Sequence, residues 1–78
     1  MTDSEIDAAI ISVAEPSWQK VAMVTVLVAK KLSVSFEDGK TLDIIRGRIE
    51  KLASDQKLDA QGDLARTRFS EVRLPSVQ

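Results

Sequence analysis

The feature that most constrains the fold is an amphipathic segment that runs directly into a candidate β-hairpin. Residues 41–52 place apolar side chains at helical spacing, which predicts a helix with one buried face. These side chains are Leu42, Ile45, Ile49 and Leu52. Residues 58–75 then have the pattern of two short strands around a turn. We therefore expect a small helical domain that ends in a two-stranded sheet.

The helix boundaries are predicted from capping residues. Thr2 and Glu5 fit a capping box, and the apolar residues that follow them predict a first helix over about residues 3–14. The acidic residues and glycine at 37–39 open the third helix, because acidic side chains complement the positive end of a helix dipole. Residues 54–56 are expected to end it.

The second helix is predicted to begin at Trp18, because Pro16 ends the first helix and Ser17 is a suitable N-cap. Residues 21–28 are rich in β-branched side chains, so a buried strand is the competing interpretation. The length of the segment, the cap and the basic pair at 30–31 favour a helix. Its apolar stripes cover most of its surface, which predicts that it lies in the middle of the core.

The remaining segments are short and extended. Residues 32–36 alternate apolar and polar side chains, which fits either a very short strand or an extended turn whose Val34 and Phe36 fill the core. The hairpin strands are predicted at 57–60 and 69–74, around a turn at Gly62 and Asp63. Phe69 is out of register with the strand that follows it, so a bulge near Ser70, or a Phe69 that packs from the other side, is expected.

Three helices followed by a C-terminal hairpin predict a winged helix-turn-helix, mainly α with a small β-hairpin, as one domain over residues 1–78. A domain of this size buries only about 60% of the surface of the unfolded chain. The chain lacks cysteine and histidine, so disulfides and thiolate or imidazole metal sites are excluded. We expect no cofactor, and a core that is stable alone or with a second copy of the chain.

The charges are divided unevenly along the chain. The net charge is −1, yet residues 1–39 carry three lysines against six acids, and residues 40–78 carry eight basic residues against six acids. This mild polarity suits an anionic partner but is weak for an isolated nucleic-acid-binding domain. The apolar run at 21–29 is far shorter than the roughly 20 residues that span a bilayer, and the acidic start differs from a secretory signal. We therefore expect a cytoplasmic protein without membrane contact.

Four stretches together carry a family resemblance: residues 17–22, 48–52, 58–64 and 68–75. They resemble a bacterial domain family of unknown function that is commonly the C-terminal partner of another uncharacterised domain, whereas here the domain is predicted to stand alone. The resemblance extends over most of the chain from Ile6 onward, and its most specific part is the Gln-Gly-Asp turn followed by Phe-Ser-Glu-Val-Arg. It implies a winged-helix-like architecture, and the family offers no established activity. The resemblance also implies that five residues recur in the family: Trp18, Arg48, Gly62, Glu71 and Arg73.

The residues that carry chemistry do not form a catalytic pattern. The twelve acids are scattered along helix faces and turns, so we expect a non-enzymatic protein. Asp55, Asp59 and Asp63 recur every four residues but lack the spacing and terminal glutamate of a calcium loop, which favours turn residues. Gly47 costs a helix about 1 kcal/mol relative to alanine. Either another backbone approaches it closely or the position tolerates the loss.

One functional hypothesis is a DNA-binding regulator, with the third helix in a major groove and the wing on the adjacent backbone. The candidate contacts are Lys40, Thr41, Arg48 and Lys51 on the helix and Arg66, Thr67 and Arg68 in the wing. Asp43 and Glu50 lie on the same helix and would repel phosphates. The competing interpretation is a solvated helix face, including an Arg46–Glu50 pair at i, i+4, and an ordinary wing tip.

The other functional hypothesis is a protein-interaction module. Ile44 falls outside the apolar stripe of the third helix, and Leu64 lies in the predicted loop, so both could contribute to an interface. The partner would be a second copy, forming a homodimer, or a different protein, as for an antitoxin or toxin-neutralising protein. Single exposed apolar residues are nevertheless normal.

Trp18 is the only tryptophan and has two interpretations. It could stack on a base or ligand, but a core residue that fixes the second helix against the wing and the first helix is favoured. In that position Trp18→Ala would cost several kcal/mol. Glu71 and Arg73 lie two apart on one strand, which favours a pairing with each other or with a helix residue.

Overall fold

The computed structural model describes residues 2–63 and 70–75 and contains three helices and a small antiparallel sheet. In chain order the elements are α1 (Asp3–Val13), β1 (Gln19–Lys20), α2 (Val21–Lys31), α3 (Gly39–Ser54), β2 (Asp59–Gln61) and β3 (Glu71–Arg73). The mainly helical fold with a small β component is confirmed. The first strand, β1, was not predicted.

The predicted starts of α1 and α3 are confirmed by their caps. The Thr2 hydroxyl accepts a hydrogen bond from the Glu5 amide at 3.2 Å and also donates one to the Glu5 carboxylate at 3.3 Å. Asp38 is the N-cap of α3, and its carboxylate accepts a hydrogen bond from the Thr41 amide. These bonds satisfy amides that a helix start otherwise leaves without a partner.

The predicted start of the second helix is wrong, although the helical interpretation of residues 21–28 is confirmed. Ser17 is not the N-cap, because residues 19–20 form β1 and pair with β3, and α2 begins only at Val21. The Val21 amide donates to the Ser70 carbonyl at 3.1 Å, which joins the start of α2 to the sheet. The local sequence predicts that residues 19–20 are helical, but their backbone groups pair with a strand some fifty residues away.

The sheet has the order β1-β3-β2, with β3 in the centre. Ala60 of β2 and Gln19 of β1 both lie opposite Val72, so Val72 is buried at the middle of the sheet. The two predicted hairpin strands exist but are shorter than predicted. Phe69 lies outside the described residues.

The connection between α2 and α3 is a turn rather than a strand. Ser33 adopts a positive φ of 57°, which ends the helical path of α2. Val34 is half-buried and packs against the core, as expected. Phe36 is 54% exposed, so the prediction that it fills the core is wrong.

One hydrophobic core lies between the three helices and the inner side of the sheet. Each helix contributes a pair of β-branched side chains from successive turns: Ile6 and Ile10 of α1, Val24 and Val28 of α2, and Ile45 and Ile49 of α3. Leu58 and Val72 close it from the sheet side. Each such side chain contributes about 1.5–3 kcal/mol by leaving water. The faces of the helices that point away from this core are the surfaces available to a partner.

Candidate interaction surfaces

The exposed side of α3 carries balanced charges. We call it the α3 outer face, and its members are Lys40, Asp43, Ile44, Gly47, Glu50, Lys51 and Ser54. The two lysines are matched by Asp43 and Glu50, so this face has no net charge at neutral pH. Ile44 is 45% exposed, which agrees with its predicted position outside the apolar stripe.

Short-range pairs hold most of the charges around this face. Arg46 forms an ion pair with Asp43, because the i, i+3 position brings Asp43 within reach. The predicted pair of Arg46 with Glu50 is therefore wrong. Lys51 pairs with Asp55 at 3.2 Å. Such exposed pairs contribute at most about 1 kcal/mol each. They leave α3 with the balanced surface that suits water.

Thr41, a predicted contact, participates in the cap of its own helix. Its hydroxyl donates to the Asp38 carboxylate at 2.6 Å, and its amide donates to the same group at 3.1 Å. These two hydrogen bonds lower the pKa of Asp38. Lys40 is exposed beside it.

Arg48, another predicted contact, links α3 to α1. Its guanidinium donates to both oxygens of Asp7, at 2.9 and 2.7 Å, and lies 3.6 Å from the carboxylate of Asp3. The hydrogen bond from Arg48 lowers the pKa of Asp7, and that bond also raises the pKa of Arg48. The interpretation of Arg48 as a solvated side chain is therefore wrong. Sequence reasoning missed this pair because its members are 41 positions apart.

Gly47 has an open environment. A Cβ added to it would meet no atom of the described chain within 4 Å. Among the described residues, no second backbone approaches this glycine, so the fold itself does not require it. Of the two interpretations, tolerance of the loss is the one that fits the described chain.

Arg73 connects Trp18 to the sheet. Its guanidinium lies over the Trp18 ring, 4.3 Å from the centroid, and its Nε donates to Asp59 at 3.1 Å. Trp18 is half-buried and lies outside the hydrophobic core, so the core prediction is wrong, and we expect its removal to cost less than a core residue would. The predicted contact of Trp18 with the C-terminal strand, β3, is confirmed.

The two charged side chains of β3 pair with β2. The Glu71 carboxylate accepts a hydrogen bond from the side-chain amide of Gln61 at 2.8 Å, and Arg73 pairs with Asp59. The predicted pairing with each other or with a helix is therefore wrong, because the neighbouring strand presents closer partners. Asp55 is an exposed turn residue as predicted and pairs with Lys51, whereas Asp59 lies in β2 and pairs with Arg73.

The predicted wing contacts Arg66, Thr67 and Arg68 lie outside the described residues, as does Leu64. Within residues 2–63 and 70–75, no three acidic side chains come together in a group that could hold a metal ion.

The exposed side of α2 is apolar, unlike that of α3. We call it the α2 outer face, and its members are Met23, Val26 and Lys30, flanked by the half-buried Ala22 and Leu27. Met23 is 53% exposed and Val26 38% exposed. The helix contains no acidic residue and ends in two lysines. The prediction that most of α2 is buried is therefore wrong for this side.

The sequence did contain a signal for this surface. A helix that is apolar all round is normally covered on every side. The described chain covers only one side of α2, because α1, α3 and the sheet all pack from the direction of the core. None of the described helices is long and apolar enough to cross a membrane.

The exposed side of α1 forms a third surface, which is acidic where the α2 outer face is basic. We call it the α1 outer face; it contains the exposed Ser4 and Ser12 together with Glu5, Ala8 and Ile11, and the last three follow one another at i, i+3 and i+6. Ile11 is 38% exposed, and Ala8 is small and exposed. α1 has acidic residues in its first turn and none that is basic in its last. On this face an acid and two apolar residues are accompanied by two serines.

Comparison with known proteins finds no matching family model, no similar curated protein and no similar solved structure.

Proposed function

We propose that this chain is a non-enzymatic protein-interaction module that binds another polypeptide through the α2 outer face. The observation that carries the proposal is the exposure of Met23 and Val26 on a helix whose residues 21–29 are apolar except for Thr25. Isolated exposed apolar residues are common, but these two are neighbours at i, i+3 and border the half-buried Leu27. A partner that covers them would remove this apolar surface from water.

A winged-helix-like architecture is part of the proposal. It is supported by the order of the elements, with β1 between α1 and α2, and by the sheet order β1-β3-β2. In a winged helix, α2 and α3 are the two helices of the helix-turn-helix, and β2 and β3 are the wing strands. This architecture is shared by proteins with many functions, so the function must be argued from the surfaces.

Site-specific photo-crosslinking tests the interaction. Benzoylphenylalanine is placed at position 23 in one variant and at position 50, on the α3 outer face, in a matched control. In cells that produce each variant, we expect a discrete crosslinked adduct from position 23 and none from position 50. Equal labelling at both positions, or none at position 23, would contradict the proposed surface.

DNA binding is the second candidate function, and the winged-helix-like connectivity and the exposed Lys40 and Lys51 are what favour it. The balancing charges of Asp43 and Glu50 and the engagement of Arg48 by Asp7 count against it. Fluorescence anisotropy with a mixed-sequence duplex at about 50 and about 200 mM salt distinguishes the two candidates. We expect no binding at either concentration, whereas salt-sensitive binding at the lower one would favour DNA.

The other sequence-based assignments stay predictions. They are the absence of catalysis and of a cofactor, the cytoplasmic location, the resemblance to a bacterial family, and the single domain. The partner of the α2 outer face is the part of the proposal that the surfaces themselves address further.

A further inference from the structure

The outer faces of α1 and α2 are complementary in charge and in the order of their side chains. Along α1 an acid, Glu5, is followed by Ala8 and Ile11. Along α2 two apolar residues, Met23 and Val26, are followed by Lys30. If two helices with these faces pack in opposite directions, acid meets base at one end and apolar side chains meet along the rest.

We propose that the partner of the α2 outer face is the α1 outer face of a second copy of this chain. In this antiparallel arrangement, Glu5 of one copy lies opposite Lys30 of the other. Ala8 lies opposite Val26, and Ile11 lies opposite Met23. The inference rests on the proposed function, since it names the polypeptide that the α2 outer face binds.

The spacing supports this register. Glu5, Ala8 and Ile11 are spaced by three positions along α1. The matching residues of α2, Met23, Val26 and Lys30, are spaced by three and four positions. Both sets therefore lie along one side of a helix at nearly the same intervals. The small side chain of Ala8 lets the two helices approach closely, while Ile11 and Met23 supply the apolar contact.

A two-fold axis makes this contact occur twice in each dimer. Most homodimers are symmetric, so α1 of the first copy packs on α2 of the second and the reverse contact forms at the same time. The dimer therefore contains two Glu5–Lys30 pairs. The six large exposed apolar side chains of the two contacts, from Ile11, Met23 and Val26 of each copy, leave water together.

The α3 outer face is a poorer candidate for the same role. Its acidic Asp43 and Glu50 lie between Lys40 and Lys51 along the chain, and Ile44 is its single large apolar residue. It has no apolar side chain beside Ile44 that a helix from a second copy would cover. It therefore serves as the control surface in the experiment.

Sedimentation of the purified chain from about 1 to 500 µM tests the proposal, because dimers of micromolar affinity dissociate across this range. We expect a monomer–dimer equilibrium. Lys30→Glu and Glu5→Lys should each weaken the dimer about tenfold, since each reversal turns two attractive pairs into repulsive ones. The double variant Glu5→Lys, Lys30→Glu should restore the dimer to within about threefold of the original, because it exchanges the charges within each pair.

The double variant also separates dimerisation from folding. Each single change places a charge at the unfavourable end of its helix dipole, so the double variant combines both costs to the monomer. Damage to the fold would therefore add up in the double variant, whereas the proposed pairing predicts recovery. Lys40→Glu, on the α3 outer face, should leave the dissociation constant unchanged.

A chain that remains monomeric at all concentrations, a series of open-ended larger species, or a double variant weaker than either single one would overturn the second copy as partner. The crosslink at position 23 distinguishes this failure from failure of the proposed function. An adduct of twice the mass of the chain agrees with the dimer. An adduct of any other mass keeps the proposed function and overturns the homodimer.

Discussion

The outer faces of α2 and α3 are both exposed, yet they are built for different surroundings. On α3, Asp43 pairs with Arg46 and Lys51 pairs with Asp55, so charged groups and water share the surface. On α2, Met23 and Val26 expose apolar atoms beside a single lysine. The comparison teaches that α3, whose charged residues predict contact with a partner, has a surface adapted to water. In contrast, α2, which is predicted to be buried, has one apolar side that the described chain leaves exposed.

The largest expected effect separates the inner and outer sides of α3. Ile49 is fully buried, so Ile49→Ala should lower the free energy of unfolding by about 2–5 kcal/mol. Ile44 is on the α3 outer face, and Ile44→Ala should change it by less than about 0.5 kcal/mol. Urea denaturation measures both. Similar losses in the two variants would mean that the α3 outer face is packed against something in the isolated chain.

The next effect concerns Arg48, the α3 side chain with a partner in another helix. Its bond to Asp7 is half-buried and doubly hydrogen-bonded, so Arg48→Met should cost about 1–2 kcal/mol at neutral pH. Arg46→Met, which removes an exposed pair with Asp43, is the matched control and should cost less than about 0.5 kcal/mol.

The pH dependence tests the same pair. The pKa of Asp7 is lowered from its ordinary value of 3.8 in the folded protein, so the pair stabilises the fold above that value. The stabilisation is lost as the pH falls through the lowered pKa. The difference in unfolding free energy between wild type and Arg48→Met should therefore shrink on acidification from pH 7 toward pH 2 or so. A constant difference would argue that Arg48 acts by packing alone.

Gly47→Ala should raise the stability by about 0.5–1 kcal/mol, because alanine is the better helix former and the added Cβ meets no described atom. Thermal unfolding followed by circular dichroism measures this. If the same change also abolished the adduct at position 23 or the dimer, a partner backbone would approach α3, and the comparison between the two faces would be reversed.

The smallest effect on stability is expected on the α2 outer face. The double change Met23→Gln, Val26→Gln should alter the unfolding free energy of the monomer by less than about 0.5 kcal/mol, because both side chains remain exposed in the fold. It should nevertheless remove dimerisation. Urea denaturation at low micromolar concentration and sedimentation at high concentration measure the two effects separately. A large loss of monomer stability would show that these side chains belong to the core.

Much of the fold was predictable from local patterns. The capping box at Thr2, the acidic residues and glycine at 37–39 and the apolar stripe from Leu42 to Leu52 predicted α1 and α3 to within a few residues. Strand β1 was not predictable, because its hydrogen bonds go to β3 near the other end of the chain. The site was less predictable than the fold. Thr41 and Arg48 were selected for their polar side chains, and the structure gives both a partner within the chain.

The sequence by itself determined α1 and α3 to within a few residues, because helical spacing and capping depend on residues three or four positions apart. It also determined that residues 21–29 are apolar except for Thr25. Only the tertiary structure decided which side of α2 the core covers and which it leaves exposed, because that depends on where α1, α3 and the sheet pack around it. The pairs of Arg48 with Asp7 and of Arg73 with Trp18 were decided in the same way, since contacts across tens of residues form only when the chain has folded.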